Sequence, residues 1–593
     1  NNNSSLGTIP RFRQSSSSFT KSGSGTVTIS TTFDRNCGAA PTVSAGAFTV
    51  SGSTTNAPTT YYSCNSADLS NVANWWTNTN CTGSNPADFT NACSIFEVQS
   101  GHSCTFGTSR AIAGTLRVNG TLTPSAAVVI SGAGSLSGTG TVKVTRTSAT
   151  ADFSSQYTLS TITLSSLTVD YANAIGSQTI SAVNYGNLVL SNTSGTQTAA
   201  NNLTVAGSLT ISAGSTLALG SYNLGTPTAI SMALSSQITG SGTITLGGNV
   251  TFTVSGATTT ATAIAPNIAL GNNRTFTVAD GSDWDDVVFS GIISGAFSVT
   301  KEGTGRLRFN GANTYTRATT INAGILYAAN SAALGTTVSG TTVTNGQRLM
   351  LGQTISVGAE ALSLTGTGGG TYGALDNVSN TNTYGGVITL QGATTIGART
   401  GSTLNLTNTI TATNQNVTLY SEGSMTISGA ITIGSGTLTK TGAGTVTVSG
   451  NNTYTGITTI TAGTLQLGAA DRISNSSNMV LNGGTFSTGS STGYSETVGT
   501  LNLNNNSVIA LGSGNHTLTF ANSSAVAWAG STLTINGWSG TAGSSGTAGK
   551  IMVGVGGLSE AQLAKIWFTG YTETPIILGT GELVPASPTI IVS

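Results

Sequence analysis

Proton-shuttling chemistry most often uses histidine, and this 593-residue chain has two, His102 and His516, near opposite ends. A Ser/His/Asp or Cys/His nucleophile would have to form around one of them. The 19 acidic residues are mostly isolated, so the convergent carboxylates of a polysaccharide-cleaving solenoid are not foreshadowed. The segment GSSGTAGK at 543–550 imitates a phosphate loop. However, Ser544 stands where glycine is required, and Ile551 replaces the hydroxyl residue that would meet Mg²⁺. The expectation is a chain that catalyses nothing and holds no cofactor.

Four groups of residues could still bind something. Asp280, Asp283, Asp285 and Asp286 place four carboxylates within seven residues, a composition that suits Ca²⁺, although an Asx-rich turn explains the same run. Lys21, Lys301 and Lys440 recur just before similar glycine-containing turns. They could form a binding ladder, but a lysine at the start of a strand also blocks edge pairing, and that surface role is expected. Trp75 and Trp76 could stack on sugar rings, with packing inside a cap as the expected role. Cys37, Cys64, Cys81, Cys93 and Cys104 all lie in the first 104 residues, without the paired spacing that zinc prefers. Disulfides in an oxidising compartment are expected, with connectivity open. The odd count leaves one thiol free or bridged to another chain.

The elements that would position these residues follow from composition and period. Only 6% of residues are charged, 79 are glycine, and positive and negative charges balance at 19 each. The lack of a basic run argues against nucleic acid as a partner. No stretch approaches ~18 apolar residues, so no transmembrane helix is expected. The Asn-Asn-Asn start without methionine leads to the expectation of a removed signal peptide. Alternating Val, Ile, Leu and Thr can bury surface, so the chain should be folded throughout.

The chain also copies itself. TKTGAGTVTVSGNNTYTGITTITAGTLQLG at 439–468 nearly repeats TKEGTGRLRFNGANTYTRATTINAGILYAA at 300–329. In both, apolar residues recur at every second position inside short strands: Leu307 and Phe309, or Val446 and Val448. They are followed by Tyr315 or Tyr454, Ile321 or Ile460, and Leu326 or Leu465. Such a unit cannot bury its apolar row alone and needs a coil above and below. At roughly 20 to 25 residues per coil, the body would hold on the order of 20 coils and extend about 100 Å.

These residues resemble the autotransporter-associated β-strand repeat of large secreted bacterial surface proteins. A degenerate third copy is visible in TKSGSGTVTIS at 20–30 and TVSAGAFTV at 42–50, with a two-residue insertion that carries Cys37. The segments 373–406 and 470–489 are similar to those between repeats in that family, which extends the resemblance over roughly 270–490. It implies an extracellular or bacterial cell-surface location.

The expected fold is all-β: a right-handed parallel β-solenoid (β-helix) with a disulfide-containing N-terminal cap and a small C-terminal cap module. Residues 1–18 would form an arm, and 19–110 a cysteine-containing cap with the degenerate repeat. Residues 111–490 would form the solenoid body, with repeats at about 300–335 and 439–489, and 491–593 a C-terminal cap and terminal strand. The only helical signal is the capping-box spacing of Ser559 and Gln562. The leading functional expectation is a structural protein whose subunits join end to end into an extracellular filament or surface fibre. Its partners would be copies of itself, with the cell surface or extracellular matrix beyond them. Ile9 and Phe12 at one end, and Ile590, Ile591 and Val592 at the other, would add as strands to a neighbour. The alternative is a monomeric adhesin rod that binds glycans or other cells. A third reading, ice binding by Thr-x-Thr pairs, lacks a strict short period. An adhesin should interrupt its coils with an aromatic or charged insertion, and none is legible beyond the N-terminal cap.

Overall fold

Strands of two to five residues dominate because a glycine, asparagine or serine turn follows almost every apolar pair, and Val, Ile, Leu and Thr suit a half-buried pleated surface. The computed structural model describes residues 58–588, apart from 148–149, 174 and 254–260, together with strand segments between 9 and 55. The described chain is a parallel β-solenoid of about 20 turns with almost no helix. It divides into two compact units, residues 1–251 and 252–593.

In the first unit Thr121 pairs with Thr141, Leu188 with Leu209, and Leu209 with Ile230, so a coil takes 20 or 21 residues. Near the N-terminus, Ile9–Arg13 pairs in parallel with Thr26–Asp34, and the latter with Ala47–Val50. Thr20 and Lys21 lie opposite Thr42 and Val43, and Val27 opposite Phe48. That is the register of the 439–468 copy, where Thr439 and Lys440 face Thr459 and Ile460, and Val446 faces Leu465.

The second unit shows how the core is built. Val287, Leu307, Leu326, Leu349, Leu375, Ile396 and Leu419 pair in succession, one per coil, and all are fully buried. Each such side chain contributes about 1.5–3 kcal/mol when removed from water, but only if a coil covers it on both sides. The period-two alternation therefore specifies stacking, and the opposite faces carry Thr and Ser. At the far end the parallel order stops: Glu582–Val584 runs antiparallel to both Gly549–Met552 and Ile576–Ile577.

The capping-box helix is present at Glu560–Leu563. Gln562 N–H donates to Ser559 Oγ, and Ser559 N–H donates to Gln562 Oε1. It is not the only helix, which corrects the sequence expectation. Asp152–Gln156 forms one α-turn and Val72–Asn74 a 3₁₀ turn. A single turn is too short to show a 3.6-residue period. Asp152–Gln156 is held by tertiary bonds instead, including Thr179 N–H to Asp152 Oδ2 and Gln156 Nε2 to Thr145 Oγ1.

Candidate functional site

Each repeat copy contributes two strands to one coil and two to the next. Val299–Glu302 pairs with Thr319–Ile321 and Arg306–Phe309 with Ile325–Ala328, and the second copy repeats this pattern. Lys301 lies in an inward position, between Phe276 and Ile321 in register, and Lys440 between Leu419 and Ile460. Both are fully buried, which overturns the expectation that they guard a surface edge. The stem fills an apolar position while the ammonium reaches the coil corner. Lys301 Nζ donates to the carbonyls of Glu302 (2.8 Å), Gly303 (2.7 Å) and Ala323 (3.1 Å). Lys440 Nζ donates to those of Thr441 (2.9 Å), Gly442 (2.6 Å) and Ala462 (3.0 Å). All three ammonium hydrogens are thus used, and one bond in each set crosses to the next coil. Burial pushes Lys301 down to about 7 and Lys440 to about 8. The turns require glycine, because Gly303 and Gly442 sit at φ of +76° and +77°.

A second bracket lies at the asparagine of each NTY. Asn313 Oδ1 accepts from Ile293 N–H (2.8 Å) in the preceding coil, and its Nδ2 donates to Ala333 O (2.7 Å) in the following one. Asn452 does the same with Ile431 N–H and Arg472 O, both at 2.7 Å. One side chain therefore ties three coils together. Beside it, Tyr454 OH bonds to Thr458 Oγ1 at 2.8 Å, and Tyr315 OH to Thr319 Oγ1. Sequence reasoning did not single out these asparagines. The available signal was that both copies place Asn two residues before the buried tyrosine.

The cap residues have structural roles. Cys64 and Cys81 are disulfide-bonded, as is Cys93. Cys104 is free and buried, with its thiol pushed up by that burial, while Cys37 lies outside the described residues. Trp75 is buried, donates to Leu69 O at 2.9 Å and meets Phe96 edge-on, whereas Trp76 is half-buried on a strand opposite Tyr62. His102 Nδ1 lies 2.8 Å from Ser63 Oγ, and that hydroxyl also accepts from Gln99 N–H. Ser63 is buried, so this pair offers no open approach to a substrate. His516 is buried between Thr488 Oγ1 and Gly514 O.

The structure disperses the aspartate cluster among separate tasks. Asp286 is buried and accepts from Gly281 N–H and Arg306 N–H, both at 2.6 Å, while its burial raises its pKa. Asp285 pairs with Arg308 at 2.9 Å, Asp283 is half-buried and Asp280 is exposed. Among the described residues no three acidic, histidine or cysteine side chains converge as a metal-binding group. The aspartates belong instead to an insertion. Thr262 pairs with Val287, 25 residues on, where the next coil takes 20 from Val287 to Leu307. A second insertion lies before Leu375, which pairs with Leu349 across 26 residues. These two loops, carrying Trp284 and Tyr372, correct the expectation that no aromatic or charged insertion interrupts the coils. Each adds only five or six residues, too few to stand out in a glycine-rich sequence.

Of the assembly candidates, Ile9 and Phe12 lie in Ile9–Arg13, opposite Ile29 and Phe33 of the same chain. Ile590, Ile591 and Val592 lie outside the described residues. No helix among the described residues is long and apolar enough to cross a membrane. Comparison with known families matches the passenger-associated transport repeat at residues 299–328 and 438–467, the two copies described above. The chain matches no curated protein and no solved structure.

Proposed function

We propose, from two passenger-associated transport repeats set in a parallel β-solenoid, that this chain is a secreted structural protein of the bacterial surface that joins end to end into filaments. It performs no catalysis in this reading: the repeat residues that sequence reasoning weighed for binding are spent on clamping one coil to the next. The carrying observation is the strand Ile9–Arg13, which pairs with Thr26–Asp34 on one side and has no partner on the other among the described residues. An open parallel edge is a template for a strand of a second copy. The N-terminal segment then acts as the acceptor edge of its own coil, rather than as an arm that reaches into a neighbour.

Sedimentation velocity tests this reading. The full chain should form concentration-dependent polymers, and a chain lacking residues 1–18 should sediment as a monomer with an unchanged far-UV spectrum. Polymerisation by the truncated chain equal to that of the full chain would place the junction elsewhere.

A further inference from the structure

The two loop insertions meet on one lateral surface of the second unit, and their side chains are chemically unlike the rest of the molecule. Trp284 keeps 57% of its surface exposed. Arg306 lies 3.9 Å from its ring centroid, and Arg399 lies 5.7 Å from that ring and 4.4 Å from the Tyr372 ring. Tyr372 in turn meets Tyr420 edge-on. In a chain with 6% charged residues, this is a dense set of guanidinium groups and aromatic rings.

The charge pairing within the set is uneven. Asp376, fully buried, holds both Arg348 (3.2 Å) and Arg399 (2.7 Å), and Asp285 holds Arg308. Asp286 is occupied by two backbone amides. Arg306 is left without a carboxylate partner among the described residues, and its Nε is buried without a hydrogen-bond partner. An arginine fork oriented on an indole with donors unspent matches a carboxylate, and the open part of the indole matches the apolar face of a ring. Arg308, Asp376 and Tyr420 fall in one outward file, with successive coils at ~4.8 Å, so the platform runs along the stack as an extended polymer would.

We propose that this surface binds an acidic polysaccharide through its carboxylated sugars, with the sugar ring on Trp284 and its carboxylate on Arg306. The site lies within one unit and does not depend on end-to-end joining. The test uses the full chain with three probes: polygalacturonate, uncharged dextran, and poly-L-glutamate, which carries carboxylates without rings. The expected result is binding of polygalacturonate, no binding of dextran, and binding of poly-L-glutamate that is weaker by roughly tenfold or more. Trp284→Ala and Arg306→Gln should each weaken polygalacturonate binding by roughly tenfold, while Arg117→Gln, at the Glu97 ion pair of the other unit, leaves it unchanged. Trp284 is exposed, so its variant should keep the parent melting curve even if Arg306→Gln does not. Absence of polygalacturonate binding would overturn the proposal. So would binding that is matched by poly-L-glutamate and unaffected by Trp284→Ala.

Discussion

Adjacent asparagines in the second repeat offer a test of how the coils are held together. Asn452 is buried and joins Ile431 N–H below to Arg472 O above, whereas Asn451 is exposed. Replacing Asn452 by alanine removes two hydrogen bonds and leaves their backbone partners without them. A buried group left unsatisfied costs about 1–3 kcal/mol, so two partly relieved by relaxation or water should cost about 2–4 kcal/mol in all. Stability in a stack of repeats is local, since each coil contacts only its neighbours, so the loss should be read where it occurs. Native-state hydrogen exchange at the Ile431 amide is that local readout. At 1.4 kcal/mol per factor of ten, Asn452→Ala should speed exchange there from about 30-fold to several hundredfold. Amides in distant coils should change little, and Asn451→Ala should leave Ile431 unaltered. Equal exchange at Ile431 in the two variants would refute the three-coil bracket.

Other outcomes follow from the same geometry. Ile460→Asp places a carboxylate opposite Lys440 and Leu481 in a fully buried column and should destabilise by several kcal/mol in urea unfolding, while Thr447→Asp on the outward face should cost little. Lys440 has a folded-state pKa of about 8 against an ordinary 10.5, so the folded chain releases that proton first. Its contribution to stability should therefore rise between pH 8 and 10.5, a slope that Lys440→Met should remove from the denaturation midpoint. Glu496 carries the opposite sign. Burial raises it to about 7 from 4.5, so its favourable contribution is complete below pH 4.5 and is lost as pH rises through 7. Glu496→Gln should accordingly gain stability relative to the parent as pH is raised from 5 to 8. Non-reducing peptide mapping should recover a Cys64–Cys81 linked pair, and maleimide should label Cys104 only after unfolding.

The coil architecture was legible because period-two alternation fixes which side chains face inward, and Leu307, Val446 and Ile460 do so. The near-repeat also fixed register: the faint copy at 20–50 pairs as its alignment requires. What misled was residue type taken without position. Lys301 and Lys440 occupy the inward phase of the alternation, which could have been counted, but their charge suggested the surface. Their burial depends on three carbonyls supplied by two coils, a constellation that exists only after stacking. The Arg–aromatic platform escaped for a related reason, since Trp284, Arg306, Tyr372 and Arg399 come from different coils and only the solenoid aligns them. The aspartates beside Trp284 drew attention as a run, while their partners Arg308 and the Arg306 amide lay more than 20 residues away or in another strand.

End-to-end joining is tested most directly by negative-stain electron microscopy of the purified full chain beside the chain lacking residues 1–18. The account predicts long, uniform fibres from the first and separate, folded particles from the second. Separate particles from the full chain across the concentration range, or fibres of equal length from both, would contradict it.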